Sequence, residues 1–118
     1  MSESEVTLRQ LIGEQLSAVT FVQDYLQLHF DGPCLNVYNP LTVTTINSTV
    51  KTWDNQLRNT LCGQIAKTVV AITIVAHQYL RITLVDGVAI SISLSDKDYT
   101  TAEALYYHGF QNDNWGVL

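Results

Sequence analysis

The sequence has few of the residues that mark specialised small proteins. It contains only two cysteines and two prolines among 118 residues. That is too few cysteines for a disulfide framework, and the two lack the short spacing of a zinc site. No apolar stretch approaches the roughly 18 residues of a membrane-spanning helix. The acidic N-terminal residues lack the basic region and apolar core of a signal peptide. These absences predict a soluble protein of the cytoplasm.

Positive charge is also scarce. Six Lys and Arg stand against eleven Asp and Glu, which gives a net charge of -5, and the basic residues are scattered along the chain. Binding to nucleic acid depends on clustered Lys and Arg that neutralise phosphates, so the composition excludes this as the main task. At 47% hydrophobic and 14% charged residues, the chain is also unlike a disordered one. The length suits one domain, residues 1–118.

β-branched residues are abundant, with 13 Thr, 12 Val and 8 Ile, and they favour sheet. Apolar and polar residues alternate in three segments, 25–30, 79–84 and 88–95, as in half-buried antiparallel strands. Asp31-Gly32 and Asp86-Gly87 predict tight turns between such strands. The apolar run Val69–Ala76 predicts a strand buried on both faces or central in the sheet.

Helical spacing of apolar residues predicts two main helices. The first would carry Leu8, Leu11, Ile12 and Leu16 on one face, begin at a capping box of Ser2 and Glu5 (or at Ser4), and stop at Gly13. The second would carry Trp53, Leu57, Thr60 and Leu61, begin at a Thr52 cap and end at Gly63. A short third helix is predicted from Thr101 to His108, with Ala102, Leu105 and Tyr106 facing inward and Glu103 and Tyr107 facing outward.

The order of the elements indicates an internal repeat. Leu8-Arg9, Gly13, Tyr25-Leu26 and Asp31-Gly32 recur as Leu57-Arg58, Gly63, Tyr79-Leu80 and Asp86-Gly87. The alternative is that any helix followed by a meander uses Gly stops and Asp-Gly turns. The repeat predicts two αβββ units, 1–50 and 51–118, the second with a C-terminal extension. The expected fold class is α+β, a curved antiparallel half-barrel of six to seven strands with two helices on it, plus the short C-terminal helix.

Residues typical of catalysis or metal binding are not arranged as such sites require. His29, His77 and His108 lack a partner at metal-ligand spacing. Cys34 and Cys62 have the positions of small buried apolar residues. The sequence has no phosphate-binding loop or nucleophile motif. We therefore predict no catalytic residue, no metal and no cofactor.

The negative charge is concentrated near the C-terminus. Residues 1–85 carry a net charge of -1, whereas residues 86–118 carry -4 and include five aromatic side chains. Acidic groups attract a basic partner over distance, and Tyr and Trp supply large contact areas. The predicted partner-binding residues are Asp96, Asp98, Tyr99, Glu103, Tyr107, Asp113 and Trp115. The alternative is that these aromatics are core residues and the acids only keep the surface soluble.

Two segments carry a resemblance to known proteins. Residues 17–33 and 79–105 resemble a group of small bacterial proteins without assigned activity, the second through strand, Asp-Gly, strand, then Asp98-Tyr99 and Glu103-Ala104. In size, acidity and lack of catalytic groups the chain also resembles immunity proteins of contact-dependent growth inhibition and similar toxin systems. That resemblance implies a small cytosolic protein that neutralises one toxin domain, often a cationic nuclease. It assigns no functional residue.

These observations lead to three functional hypotheses. The first is a non-enzymatic binding protein, an immunity-type inhibitor that blocks a basic toxin domain with residues 96–115. The second is a small-molecule-binding or enzymatic domain that uses the concave face of the sheet, where Gln27, His29, Arg81 and Thr83 would line a pocket. The third is a homodimer formed through sheet edges or through the Tyr-rich C-terminus.

Overall fold

Two antiparallel sheets make up this computed structural model, which describes residues 2–52 and 54–118. The elements are α1 Glu3–Leu8, β1 Ala18–Phe21, β2 Leu26–His29, β3 Cys34–Val37, β4 Leu41–Thr44, β5 Thr49–Lys51, α2 Leu57–Cys62, β6 Val69–Val75, β7 Tyr79–Leu84, β8 Ala89–Ser93, β9 Leu105–His108 and β10 Gly116–Val117. The first sheet has the order β1-β2-β3-β9-β10 and the second β5-β4-β8-β7-β6. The α+β class is confirmed, but the single half-barrel of six to seven strands is wrong.

The last two strands of each half of the chain join the sheet of the other half. The first sheet combines β1–β3 with β9–β10, and the second combines β6–β8 with β4–β5. The strands of the two halves meet at the pair β3–β9 in the first sheet and at the pair β4–β8 in the second. In both halves one α-helix precedes five strands within the described residues. That this order arose by duplication stays a prediction.

The two sheets and both helices bury their apolar side chains in one hydrophobic cluster of the described residues. From the sheets the cluster takes Leu26, Leu28, Leu35, Val37 and Leu105 on one side and Leu41, Val43, Leu80, Ile82, Ile90 and Ile92 on the other. Burying each such side chain contributes about 1.5–3 kcal/mol. The apolar residues in the alternating segments therefore lie on the inner faces of the two sheets, as the alternation predicts. No helix in the described part of the chain is long and apolar enough to cross a membrane.

The chain changes sheets at two neighbouring crossings, between β3 and β4 and between β8 and β9. Asn39 joins them. The backbone N–H groups of Tyr38 and Asn39 donate to the Ala104 carbonyl at 2.9 and 3.1 Å. The Asn39 side-chain Nδ2 donates to the Ser93 carbonyl at 2.9 Å. One buried amide thus stabilises both crossings, which position the hairpins that the two halves exchange.

The two predicted main helices exist, but both are short. Ser2 caps α1, since its hydroxyl accepts a hydrogen bond from the Glu5 N–H at 3.1 Å. The helix ends at Leu8, and a single 3₁₀ turn, Arg9–Leu11, follows. Leu16 is buried although it lies beyond the helix, whereas Ile12 is exposed, so the predicted apolar face is only partly correct.

The second helix begins later than its predicted cap. The Thr52 hydroxyl donates to the Leu41 carbonyl at 2.9 Å and accepts from the Leu41 N–H at 2.6 Å, so it extends the β4–β5 pairing and does not cap α2. Leu57 and Leu61 are buried, and the helix stops at Gly63 as predicted. Trp53, which was assigned to the same apolar stripe, lies outside the described residues.

The predicted C-terminal helix is wrong, because its second half is the strand β9. This strand pairs with β3 on one side and β10 on the other. Tyr side chains suit such a pleated, half-buried position. Leu105 faces the core as predicted, but strand periodicity reverses the two tyrosines, because Tyr107 faces the core while Tyr106 faces outward with His108. Ala102, expected to face inward, is exposed.

The apolar strand β6 is not central. It forms an edge of the second sheet, and the segment after α1 covers only its beginning. There the Gly13 N–H donates to the Val69 carbonyl and the Val69 N–H donates to the Glu14 carbonyl, both at 2.8 Å. A register shift between Val69 and Ala71 leaves Val70 exposed. The apolar composition of β6 predicts burial on both faces or a central position, and this prediction is wrong.

The β7–β8 turn is held by an ion pair that gives a testable acid response. Lys67 Nζ lies 2.6 Å from Asp86 Oδ2 and 2.7 Å from Gln64 Oε1. The hydrogen bond from Lys67 holds the pKa of Asp86 below its ordinary value. Because this pKa is lowered on folding, the pair stabilises the fold above the ordinary carboxyl pKa. That stabilisation is lost as the pH falls through the lowered value.

An NMR titration of the Asp86 carboxyl group tests this. We expect its pKa in the wild-type protein to lie below that of an exposed Asp, and Lys67→Met to return it to the ordinary range. Lys97→Met, which removes an exposed lysine away from this turn, is the control and is expected to leave the Asp86 pKa unchanged. Identical pKa values for Asp86 in the wild type and in Lys67→Met would contradict the role of the ion pair.

Candidate functional site

The predicted acidic residues lie at the two ends of β9. Asp96, Asp98 and Glu103 precede the strand, whereas Asp113 lies in the connection from β9 to β10. The Leu118 carbonyl accepts from the Ala104 N–H at 2.6 Å, which places the chain end beside the start of β9 and Asp113 at its far end. The acids therefore flank the strand and do not form one continuous cluster.

The acidic residues before β9 already have neighbours within the fold. Asp96 Oδ1 lies 3.5 Å from His77 Nδ1, and both side chains are largely exposed. Asp98 Oδ2 accepts a hydrogen bond from the Ser93 hydroxyl at 2.5 Å. Tyr99 is half-buried against the core, and the Glu103 backbone is held by the Thr101 hydroxyl. Of these residues, Asp96 is the most available to a partner.

Tyr107 is a core residue, which corrects its assignment to the partner-binding surface. It is 4% exposed. Its ring packs edge-on against Phe110 with centroids 5.8 Å apart. Its hydroxyl is 2.8 Å from Ser4 Oγ, so it ties β9 to α1. The error follows from the predicted helix, because strand periodicity places residue 107 on the inner face.

The outer face of β9 carries the half-buried rings of Tyr106 and His108, and the exposed Trp115 packs against Tyr106. These three rings are here called the aromatic ladder. Trp115 is 67% exposed. It meets Tyr106 edge-on at a centroid distance of 6.2 Å, and Tyr106 stacks on His108 at 4.8 Å with an interplanar angle of 20°. Sequence reasoning selected Trp115 but missed the other two rings, because a helix would have separated them.

The strands beside the ladder add polar, uncharged side chains to the same face. Asn36 lies opposite Tyr106 in the β3–β9 pairing, and Gln27 Nε2 donates to Asn36 Oδ1 at 3.0 Å. Two residues before Asn36 on the same strand, Cys34 is paired with His29 of β2 on one side and with His108 of β9 on the other.

The Cys34 row favours neither nucleophilic nor metal chemistry. Burial raises the pKa of the Cys34 thiol, which disfavours the reactive thiolate. Across residues 2–52 and 54–118 no group of three His, Cys, Asp or Glu side chains is placed to hold a metal ion. This part of the face therefore offers hydrogen-bonding side chains, and the Cys34 thiol among them is buried.

The polar stripe of the small-molecule hypothesis is divided between two surfaces. Gln27 and His29 lie on the outer face of the first sheet, whereas Arg81 and Thr83 lie on the outer face of the second. Arg81 Cζ lies 4.3 Å from the centroid of the Tyr79 ring. The four side chains therefore do not line a common pocket, and that assignment is wrong.

A different concave site lies where the first sheet meets α2. This cleft has a volume of about 430 Å³. It is lined by the β1–β2 turn, the end of β3 and the residues Thr52, Asp54, Asn55, Leu57 and Arg58. The rings of Tyr25 and Tyr38 form one wall, with centroids 5.5 Å apart and a tilt of 55°. The Arg58 guanidinium lies 5.3 Å from the centroid of the Phe21 ring.

Two carboxylates stand at this cleft, those of Asp24 and Asp54. Asp54 Oδ1 accepts from the Gln56 N–H at 2.9 Å. Neither carboxylate has an ion-pair partner among the residues that the structure describes. The double hydrogen bond of Thr52 to Leu41 fixes the segment that carries Asp54.

Asn39 also lines the cleft and is 3% exposed. The bond from Nδ2 to the Ser93 carbonyl fixes the orientation of its amide. Its Oδ1 has no hydrogen-bond partner within residues 2–52 and 54–118. A buried acceptor left without a donor costs about 1–3 kcal/mol. Sequence reasoning missed this residue, since Asn39-Pro40 has only the pattern of a turn.

Comparison with known proteins adds no further assignment. No family model matches the chain, and no curated protein or solved structure is significantly similar to it.

Proposed function

We propose that this chain is a non-enzymatic binding protein of the cytoplasm that captures a basic protein, in the manner of an immunity protein that neutralises a cationic, nuclease-type toxin. The observation that carries the proposal is the aromatic ladder with its exposed Trp115. Trp and Tyr are enriched among the residues that dominate protein–protein binding energy. A Trp that is 67% exposed and supported by two further rings matches that pattern.

The acidic residues near the ladder favour a positively charged partner. Asp113 lies between β9 and β10, two residues before Trp115 of the ladder, and Asp96 and Glu103 precede β9. Together with the net charge of -5 they attract a basic surface over distance and accelerate its approach. In this proposal the ladder supplies contact area, while the flanking acids steer the partner and make binding sensitive to salt.

Affinity capture with the immobilised full-length protein tests the proposal. Wild type is compared with Trp115→Ala and with Ile46→Ala, a control that truncates a 98% exposed side chain at the β4–β5 turn. We expect wild type and the control to retain the same basic protein at low salt and to release most of it at high salt. We expect Trp115→Ala to bind that protein about 30-fold more weakly, the effect of losing one hot-spot residue.

The same experiment can contradict the proposal in two ways. One is recovery of no basic protein at either salt concentration. The other is equal binding of the recovered protein by all three baits. Circular dichroism and the urea midpoint of each bait are measured first, so that a folding defect in Trp115→Ala is not mistaken for lost binding.

A second candidate function, small-molecule binding, is favoured by one specific observation. A cleft with aromatic walls lies beside α2, and among its lining residues the buried Asn39 has a side-chain oxygen for which no donor is found in the described part of the chain. The ladder takes no part in that cleft, so the two functions do not exclude each other.

A further inference from the structure

We propose that the outer face of the second sheet binds a phosphate monoester on a small polyhydroxylated carbon skeleton, as in a sugar phosphate. This inference goes beyond the proposed protein capture, because the aromatic ladder belongs to the first sheet. It combines cations that the fold collects on one face, a row of hydroxyl groups between them, and a concave surface of suitable size.

The outer face of the second sheet is positive although the protein as a whole is negative. Its strands contain no Asp or Glu, and their only Lys and Arg residues, Lys51 and Arg81, both face outward. Lys97 follows β8 and adjoins the same face. Three of the six Lys and Arg residues of the chain thus meet here. Such a local excess of positive charge attracts an anion.

Two carboxylates lie beside Lys97 in the chain, and both have neighbours within the fold. Asp98 Oδ2 accepts a hydrogen bond from the Ser93 hydroxyl at 2.5 Å. Asp96 Oδ1 lies 3.5 Å from His77 Nδ1. Neither forms an ion pair with Lys97 among the residues that the structure describes. The Lys97 ammonium group is therefore available to an anionic ligand.

A row of polar side chains crosses the sheet between two of the cations. Thr42 is paired with Lys51 on one side and with Ser91 on the other. Ser91 is in turn paired with Arg81. Neighbouring strands are about 4.8 Å apart, so the backbones at the two ends of the row are about 14 Å apart. The half-buried Thr42 and Ser91 hydroxyls make no hydrogen bond within residues 2–52 and 54–118. They are thus free to donate to a ligand.

The row lies in a concave surface with a volume of about 340 Å³, which is within the range of small-ligand sites. Lys51 and Lys97 both line this surface, and so does Tyr79. The Arg81 Cζ lies 4.3 Å from the centroid of the Tyr79 ring, a contact that holds the guanidinium beside the surface. All three cations therefore border the same space.

The donors and the carboxylate of this surface suit two parts of one ligand. The Lys51 and Lys97 ammonium groups donate charge-assisted hydrogen bonds, which phosphate oxygens accept. The Thr42 and Ser91 hydroxyls add neutral donors. Asp98 also lines the surface and already accepts a bond at Oδ2, which leaves Oδ1 as an acceptor for a ligand hydroxyl group. Inorganic phosphate uses only the donors, whereas a sugar phosphate uses the acceptor as well.

NMR titration of the full-length protein at low salt with glucose 6-phosphate, the sugar phosphate used as probe, is the direct test. We expect the backbone resonances of Thr42, Ser91 and Lys97 to shift together with one dissociation constant. We expect Lys97→Gln to raise that constant about tenfold, since a charge-assisted hydrogen bond is lost. The control Arg9→Gln removes the same charge beside α1, away from this face, and is expected to leave binding unchanged.

Two further ligands separate the contributions of the charge and the carbon skeleton. Glucose, which lacks the phosphate, is expected to cause no comparable shifts. Inorganic phosphate, which lacks the hydroxylated skeleton, is expected to shift the same resonances but to bind about tenfold more weakly, the effect of losing the hydrogen bond to the Asp98 carboxylate. Added salt is expected to weaken binding of the sugar phosphate, because the site is open to screening.

Three outcomes would overturn the inference. The first is that the sugar phosphate does not shift these resonances at about 10 mM, where even weak ligands of this size bind. The second is that glucose or inorganic phosphate binds as well as the sugar phosphate does. The third is that Arg9→Gln weakens binding as much as Lys97→Gln does.

Discussion

Gly109→Ala is expected to lower the free energy of unfolding by about 3 kcal/mol or more, as backbone strain and overpacking combine. Gly109 follows β9 with a φ of 78°, a conformation that side chains disfavour. A methyl group there would overlap the backbone oxygen of Gly32 in the β2–β3 turn. Because the obstacle is backbone, relief requires the turn itself to move.

Gly87→Ala is the matched control for this prediction. Gly87 also has a positive φ, 88°, but no described atom lies within 4 Å of the added methyl group. It should therefore show only the strain of the left-handed conformation, about 1–2 kcal/mol. Urea unfolding of both variants measures the difference, which reports the close approach of the two turns. Equal losses in the two variants would show that the approach is not tight.

Asn39→Asp is expected to destabilise the protein by about 3–5 kcal/mol at pH 7, as an uncompensated buried charge does. The substitution replaces the Nδ2 donor by an oxygen that faces the Ser93 carbonyl. The site is almost fully buried, so water cannot solvate the carboxylate. Both crossings between the sheets depend on this residue, and their loss would loosen the exchanged hairpins.

The same variant should show a pH dependence of known sign. Burial and the facing carbonyl raise the pKa of the new carboxyl group in the folded state. Protonated, it can donate to Ser93, so the penalty is smallest below the unfolded pKa of about 3.9. The penalty then grows as the pH rises through the folded value.

Urea unfolding at about pH 3.5, below the unfolded carboxyl pKa, and at about pH 7 measures this penalty relative to wild type. Asn39→Ala, which removes the donor without adding charge, is expected to have a similar penalty at both pH values. A penalty for Asn39→Asp that does not change with pH would contradict the burial of the Asn39 side chain.

Local features of the fold were accessible from the sequence because they depend on neighbouring residues. The alternation of Leu80, Ile82 and Leu84 with polar residues identified β7 and its buried face. Asp86-Gly87 marked the turn that follows, and the spacing of Ser2 and Glu5 marked the start of α1. Each of these signals spans only a few residues of chain.

The pairing of distant segments left no such local signal. β3 and β9 are adjacent in the first sheet although Asn36 and Tyr106 are 70 positions apart in the sequence. Nothing in the residues around Leu105 indicates that they pair with β3, and their spacing alone predicts a helix. That helix places Tyr107 on the outer face, whereas in β9 it lies on the inner face. For the same reason the apolar run of β6 predicts burial on both faces or a central position, although the strand lies at an edge of the second sheet.

The exchange of hairpins builds both candidate sites. The aromatic ladder comes from β9 and the segment leading into β10, in the second half of the chain, and lies beside Asn36 of the first half. The cleft likewise combines the β1–β2 turn and β3 with Arg58 of α2. The three ladder rings belong to the second half but lie beside β3 of the first half, and the cleft takes residues from both halves. The central claim is therefore that the two halves form a single cooperative unit.

Native-state hydrogen exchange in increasing urea tests that claim most directly. The slowest amides of β2 and β3 in the first sheet and of β7 and β8 in the second are followed together. If the exchanged hairpins bind the halves into one core, both sets open with the same free energy and the same urea dependence, equal to those of global unfolding. Two sets of amides that open with separate free energies and separate urea dependences would contradict it.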